Sequence, residues 1–185
     1  KGLEKFDKAG GEISKLASVA SFFVSRVDTA VDKELEIKKN KELIGKIAIA
    51  NSKVAFEYSN EIFSSQRWKL LAAKGARVQR LLWASTGTKN PNFKDTIYVD
   101  ELIGKDTVNT MPPATIDAFV DHGIVKETLS EGIDESKRQI NKLKDLGISL
   151  DEITNKLLVD GVKSFSDSFT SLLKSLEQKV EKIKE

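Results

Sequence analysis

The sequence predicts an α/β fold with a parallel sheet, and three observations support this prediction. Short apolar runs rich in β-branched and aromatic residues occupy residues 16–25, 78–85 and 106–111. The stretches between and after them repeat apolar residues at the three- and four-residue spacing of helices. Strands that alternate with helices favour parallel pairing, with the helices as crossovers. The 185 residues show no internal repeat and no linker, so one domain is expected.

The first apolar run, residues 16–25, predicts a strand buried on both faces, because parallel strands read as continuous apolar segments. A long helix is predicted over residues 41–65. Its wide apolar stripe, which should pack against the sheet, contains Leu43, Ile47, Ala50, Val54, Tyr58 and Ile62. A shorter helix over residues 67–74 is expected to end at Gly75.

The second run, residues 78–85, leads into the polar turn residues 86–91, and the third run is stopped by two prolines. Helices are predicted over 114–121, 133–146, 149–160 and 162–183. Ser149 and Glu152 have the spacing of a capping box. The last helix has an apolar face of Phe165, Phe169, Leu172, Leu176, Val180 and Ile183. Three strands against at least six helices indicate an incomplete sheet.

Composition excludes several classes of function. The 30 basic and 28 acidic residues nearly balance, which disfavours a nucleic-acid partner. No apolar run approaches the roughly 18 residues of a membrane span, and there is no cysteine for thiol chemistry. Carboxylates show no metal-ligand spacing, and His122, the only histidine, is expected to have a structural role at a helix end. The default expectation is a cytoplasmic protein without membrane or metal.

Polar residues gather where the predicted strands end. Ser21 and Arg26 belong to the first strand and its end, and Ser85 closes the second. In α/β folds ligands bind at the carboxyl ends of strands, where a guanidinium and hydroxyls suit a phosphate. These residues indicate a site for a phosphorylated small molecule. In the alternative interpretation, Arg26 pairs with Asp28 or Asp32 and the serine belongs only to a turn.

Five segments together resemble the transaldolases, particularly the longer bacterial type. They are residues 19–29, 45–53, 82–91, 106–112 and 160–169, and they follow one another in the family's order. The resemblance implies a (β/α)8 TIM barrel in which this chain supplies roughly strands six to eight, their helices and the C-terminal helix. Residues 1–185 would then be the C-terminal portion of a single barrel domain, because such barrels need at least about 200 residues.

The resemblance also implies an activity. The family's enzymes transfer a dihydroxyacetone unit between sugar phosphates, sedoheptulose 7-phosphate and glyceraldehyde 3-phosphate, in the pentose phosphate pathway. They use a lysine Schiff base and no cofactor. The family's lysine precedes Ile-Pro or Val-Pro, and neither Lys-Ile-Pro nor Lys-Val-Pro occurs here. This chain is therefore expected to contain no catalytic residue, to be inactive alone, and to need the N-terminal portion of the barrel as its partner.

Phosphate recognition is what the resemblance assigns to this chain. Ser21, Arg26 and Ser85 match the family's phosphate-binding residues. The shorter transaldolases place a second arginine where this sequence has Gly87. The residues that could line the substrate site in this interpretation are Phe23, Thr86, Thr88 and Lys89, with a core role as the alternative for the phenylalanine. The rival hypothesis is a non-catalytic helical interaction module that binds a partner through the apolar face of the last helix.

Overall fold

A computed structural model describes residues 1–184 of the chain, and its helices and strands alternate as expected for an α/β protein. The elements, with a short 3-10 helix at Ile13–Lys15 after the first, are α1 Gly2–Lys8, β1 Val19–Phe23, α2 Ser25–Ile37, α3 Ile47–Ser64, α4 Gln66–Ala72, β2 Arg80–Ala84, α5 Ile97–Asp100, β3 Thr107–Asn109, α6 Pro113–His122, α7 Ile133–Asp145 and α8 Leu150–Lys184. Lys1–Ile148 forms one compact unit, and a second begins at Ser149.

The three strands pair in parallel, as the sequence predicts, and their order in the sheet is β1-β2-β3. In the register of the sheet, Ser21 lies opposite Leu82, and Leu82 lies opposite Val108. Because neighbouring residues in register point to the same face, these three side chains share one face of the sheet. Because the strands run parallel, their carboxyl ends lie at the same end of the sheet, where the sequence places its polar residues.

The prediction that the first strand is buried on both faces is wrong. Val19 and Phe23 are 42% and 37% exposed, whereas Trp83 of the central strand is fully buried. The ring of Phe22 meets Trp83 edge-on, with 5.8 Å between the ring centroids. The exposed residues of β1 alternate along the strand and therefore share one face of the sheet, which is the face left uncovered in the described part of the chain. Trp83 lies on the opposite face.

Helix α2 is not predicted from the sequence, yet it places the candidate arginine. Its buried residues Val27, Val31 and Leu35 recur at a spacing of four and form one stripe. This signal is present in the sequence, but the apolar run 16–25 directly before it obscures where the strand ends. The strand ends at Phe23, and Arg26 consequently lies in the first turn of a helix.

The long helix α3 begins at Ile47 and not near residue 41. Gly45 has φ +71°, a left-handed conformation that interrupts any helix started before it. The first turn of α3 is then held from outside, because Asp28 accepts a hydrogen bond from the backbone of Ala48 at 2.7 Å. Helix α3 packs against α2, α4 and α7 and so forms the centre of the helical layer.

Helix α8 is one continuous helix of 35 residues and not the predicted pair. Gly161 lies inside it, since a helical glycine costs only about 1 kcal/mol relative to alanine and does not by itself end a helix. The predicted cap is confirmed, because Ser149 Oγ accepts a hydrogen bond from the backbone of Glu152 at 3.2 Å. Among the described helices, none is both long and apolar enough to cross a bilayer.

Candidate functional site

Backbone and side-chain hydrogen bonds join the carboxyl ends of β1 and β2. The backbone N–H groups of Val24 and Ser25 donate to the carbonyls of Ala84 and Ser85 at 2.9 and 3.0 Å. The two serine hydroxyls are also in contact, with 2.8 Å between their Oγ atoms. Ser85 therefore lies directly beside the first turn of α2, as the parallel topology predicts for adjacent strand ends.

Arg26 extends from that first turn over the ring of Phe23. Its guanidinium carbon lies 4.5 Å from the ring centroid, a cation–π contact worth about 0.5–1 kcal/mol at an exposed position. Phe23 shares a sheet face with Ser21, because residues two apart on a strand point the same way. The aromatic ring thus supports the guanidinium at the carboxyl edge of the face that bears Ser21.

Arg26 does not form the ion pairs of the alternative interpretation. The carboxylate of Asp28 accepts hydrogen bonds from the Ala48 backbone and the Tyr98 hydroxyl, and Asp32 accepts one from the Gly45 backbone. Within residues 1–184, the arginines in ion pairs with carboxylates do not include Arg26. Its positive charge is therefore available to a ligand.

Ser85 and Thr86 differ in burial and in backbone conformation. Ser85 is half-buried and has φ +57°, a left-handed conformation that is rare outside glycine. Thr86 is fully buried, and its hydroxyl donates to the side-chain carbonyl of Asn109 at 2.7 Å. The threonine thereby fastens the loop after β2 to the end of β3, and its hydroxyl is engaged within the fold.

The rest of the loop after β2 folds back on itself. The hydroxyl of Thr88 donates to the carbonyls of Lys94 and Asp95 at 3.2 and 3.0 Å. Lys89 is exposed, and none of the ion pairs of the described residues includes it. A Cβ at Gly87 would lie 3.1 Å from Cγ of Pro112, so a side chain there would displace the proline by a few tenths of an ångström.

Of the two predicted site residues on β1, Ser21 lies farther from the carboxyl end of the strand. It is exposed and stands two residues before the end of β1, about 7 Å from that end. Its neighbours on the same sheet face are Leu82 and Val108. The structure therefore brings Arg26, Phe23 and Ser85 together at the edge of the sheet and places Ser21 on the face below them.

Sequence reasoning missed two buried polar residues that shape this site. Ser25 is 1% exposed and contacts Ser85, and its position directly before Arg26 was the available signal. Asp28 is also 1% exposed, and burial raises the pKa of its carboxyl to about 6 against the opposing effect of its hydrogen bonds. An acidic residue on the buried stripe of α2 is the pattern that could have revealed it.

His122 lies at the end of α6, as expected, and it also contacts two carboxylates. Its Nε2 lies 2.8 Å from the carboxylate of Asp95, and its Nδ1 lies 3.0 Å from that of Asp121. These carboxylates raise the pKa of the imidazole. The histidine connects the end of α6 to the loop after β2.

The arrangement suits an anion. It combines a guanidinium without an acidic partner among residues 1–184, a hydroxyl donor and the first turn of a helix, where backbone N–H groups favour negative charge. In the part of the chain that the structure describes, no three His, Cys, Asp or Glu side chains cluster as a metal site would need. The edge of the sheet can therefore hold a phosphate group through residues already in place.

Comparisons with a family model and with curated proteins both point to one family. Residues 4–176 match the model of a family described as transaldolase/fructose-6-phosphate aldolase. A protein named transaldolase from Trichodesmium erythraeum is 47% identical over 98% of this chain and 51% of its own length. One from Frankia alni is 48% identical over 97% of this chain and 49% of its own length. The chain thus spans about half the length of the curated relatives it matches.

Proposed function

We propose a function for this chain from the premise that it belongs to the transaldolase/fructose-6-phosphate aldolase family. The chain binds the phosphate group of a sugar phosphate at the carboxyl ends of β1 and β2. The observation that supports this most directly is the guanidinium of Arg26, which has no carboxylate partner within residues 1–184 and lies over the ring of Phe23. The residue directly before it, Ser25, contacts Ser85. A half-buried positive charge without an acidic partner is favoured only when an anion or water satisfies its donors.

Each residue has a distinct task in this proposal. Arg26 presents a planar fork of N–H groups that can reach two phosphate oxygens at once. Ser85 adds a hydroxyl donor from the residue directly after the neighbouring strand β2. Ser21, lower on the same sheet face, faces the part of the ligand nearer the sheet. Lys89 is exposed and contributes attraction at longer range.

For the whole protein we propose transaldolase activity, the transfer of a dihydroxyacetone unit between sedoheptulose 7-phosphate and glyceraldehyde 3-phosphate in the pentose phosphate pathway of the cytoplasm. A lysine amine condenses with the substrate carbonyl and releases water, and the imine accepts the electron pair of the broken C–C bond. Strands outside this chain supply that lysine. In support, β1, β2 and β3 contain no lysine, and Lys53 on α3 is buried against Glu101 at 3.1 Å.

Calorimetric titration of the chain with glycerol 3-phosphate, an unreactive phosphate monoester, tests the binding proposal. Arg26→Ala is expected to weaken binding at least about tenfold, because hydrogen bonds to charged groups contribute about 1.5–3 kcal/mol. Arg138→Ala is the matched control, since it removes the same charge from an exposed ion pair on α7. It should leave the affinity within twofold of the unsubstituted chain, by the usual small effect of distant surface charge.

Two results would count against phosphate binding. The first is equal loss of affinity in the two arginine variants, which would mean that only net charge attracts the ligand. The second is equal affinity for glycerol and glycerol 3-phosphate, which would mean that the phosphate group is not recognised. Repeating the titration at two salt concentrations separates the screened, general attraction from the specific contacts.

A helical interaction module remains the second candidate, and one observation favours it. The apolar face of α8 is largely exposed, with Phe165 and Phe169 at 67% and 62%. Large exposed apolar surfaces commonly mark sites where another protein or segment docks. If no phosphate ester binds, even after the sheet is completed by the remaining barrel strands, this second function is the better supported one.

A further inference from the structure

We infer that Ser25 is a positioning residue that fixes the hydroxyl of Ser85 as a donor to the bound phosphate. This inference rests on the proposed phosphate binding and adds a role for a residue outside the predicted site. Its basis is the contact between the two hydroxyls, 2.8 Å apart across the ends of two neighbouring strands. Only one of the two can donate in that contact, and burial determines which one does.

Burial assigns the donor. Ser25 is 1% exposed, and among the described residues its Oγ has hydrogen-bond geometry with Ser85 alone. If Ser25 accepted the hydrogen bond, its own O–H would be buried without a partner, which is costly. Ser85 is half-buried and can direct its proton outward. Ser25 therefore donates to Ser85, and the proton of Ser85 is left for a ligand.

The backbone around the pair holds the same geometry. The N–H of Ser25 donates to the carbonyl of Ser85 at 3.0 Å, and Val24 makes the equivalent bond to Ala84 at 2.9 Å. These contacts hold Ser85 at φ +57°, a conformation that a serine keeps only when its surroundings impose it. Thr29 in turn donates its hydroxyl to the carbonyl of Ser25 at 2.8 Å. Ser25 is thus restrained through its backbone and through its side chain.

The consequence for binding is a directed and strengthened donor. A hydroxyl that accepts one hydrogen bond becomes a better donor in the next, because the chain of bonds is polarised. Loss of the Ser25 hydroxyl leaves Ser85 in place but free to rotate its proton toward the backbone. Ser25 then affects the phosphate only through Ser85, which distinguishes it from Arg26 and from a residue that merely stabilises the fold.

A double-mutant cycle measured with glycerol 3-phosphate by calorimetry tests this inference. Ser25→Ala is expected to weaken binding about fivefold, the equivalent of one neutral hydrogen bond, and Ser85→Ala about tenfold. In the Ser85→Ala background, Ser25→Ala should have no further effect, because its only route to the ligand is gone. Ser25→Cys, which keeps the size and a weak donor, should give an intermediate affinity. Ser136→Ala, which removes a buried hydroxyl from α7, should leave the affinity unchanged.

The failure of this inference is distinguishable from the failure of phosphate binding. If the ester is not bound even after the sheet is completed by the remaining barrel strands, or if Arg26→Ala has no effect on binding, the proposed function is wrong. If Arg26→Ala weakens binding but Ser25→Ala does not, or the effects of the two serine substitutions add, Ser25 does not position Ser85. Urea unfolding of each variant checks that a loss of affinity is not a loss of fold, and Ser25→Cys gives the same readout if the alanine variant does not fold.

Discussion

Asp28 shows how a single residue on the far side of α2 supports the candidate site. Its carboxylate accepts hydrogen bonds at 2.7 Å from the backbone of Ala48 and the hydroxyl of Tyr98. These contacts join α2 to the start of α3 and to α5, which follows the loop after β2. Arg26 is only two residues away on the opposite side of the helix, so the bonds of Asp28 determine how the arginine is presented.

The burial of Asp28 predicts a dependence of stability on pH. Its pKa is about 6 in the folded chain against 3.8 for an exposed aspartate. The folded state therefore holds the proton more tightly, and this group's contribution to stability is full below about pH 4 and lost as the pH rises through 6. The loss amounts to about 3 kcal/mol. We expect Asp28→Asn to lack this loss. Urea unfolding should therefore show that the free energy of unfolding of the variant rises relative to that of the unsubstituted chain between pH 4 and pH 7.5.

The control for this prediction is Asp167→Asn, an exposed acid in an ion pair with Lys163 on α8. Its stability difference from the unsubstituted chain should vary little with pH, because exposed ion pairs contribute about 0–1 kcal/mol. A difference between Asp28→Asn and the unsubstituted chain that is constant from pH 4 to pH 7.5 would show that burial does not raise the pKa of Asp28.

At the scale of elements, the loop after β2 depends on α6. His122 at the end of α6 contacts the carboxylate of Asp95, and the carbonyl of Asp95 accepts a hydrogen bond from Thr88. The same loop contains Ser85 at its start. A protonated histidine therefore restrains, from outside, the segment that is proposed to face the phosphate. The spacing along the chain between these residues explains why sequence patterns did not indicate the contact.

Because His122 is the only histidine, its titration can be followed directly by NMR. The neighbouring carboxylates of Asp95 and Asp121 raise its pKa above 6.5. The stabilising contact is therefore full below about pH 6.5 and is lost as the pH rises through the raised value. We expect Asp95→Asn to move the midpoint of the His122 titration downward. Asp134→Asn, an exposed acid in the first turn of α7, should not change it.

The opposite result would be informative about the loop. If the His122 midpoint is the same in Asp95→Asn and in the unsubstituted chain, the contact between α6 and the loop does not persist in solution. In that case high salt should change the midpoint equally in Asp95→Asn and in the unsubstituted chain, because only the contact with Asp121 is left to be screened.

At the scale of the whole molecule, the sheet has strand edges that further strands could pair with. Its three strands leave β1 and β3 with one unpaired edge each, within the part of the chain that the structure describes. Exposed parallel edges are unfavourable, because parallel sheets are normally covered on both faces and at their edges. The chain also spans about half the length of its curated relatives. Both facts support the proposal that further barrel strands complete the active protein.

Complementation tests that proposal. We expect transfer of a dihydroxyacetone unit when the chain is produced together with the half of the Trichodesmium erythraeum relative that it does not cover, and no transfer from either portion alone. Arg26→Ala in this chain should reduce the activity of the mixture by raising the KM for the sugar phosphate. Activity of this chain by itself would contradict the proposal, because it would require a catalytic lysine among the described strands and helices.

The sequence by itself determined the fold class, the parallel pairing of the strands and the ends of several helices. Periodicity and turn residues act locally, so the helix end at Gly75 and the Ser149 cap could be read directly. Its resemblance to the transaldolases also agreed with the family match. The boundary between β1 and α2 was missed, since one continuous apolar run can belong to a strand or a helix.

Only the tertiary structure decided which polar groups meet. It showed that Arg26 rests on Phe23 and has no acidic partner among the described residues, and that Ser25 contacts Ser85 across 60 positions of sequence. It also showed that Asp28 is buried against Tyr98, 70 positions away. These contacts depend on how the helices pack against the sheet, and no local pattern encodes the partner of a hydrogen bond that closes so long a loop. The physical reason is that burial, which selects donors and shifts pKa values, is a property of the assembled fold.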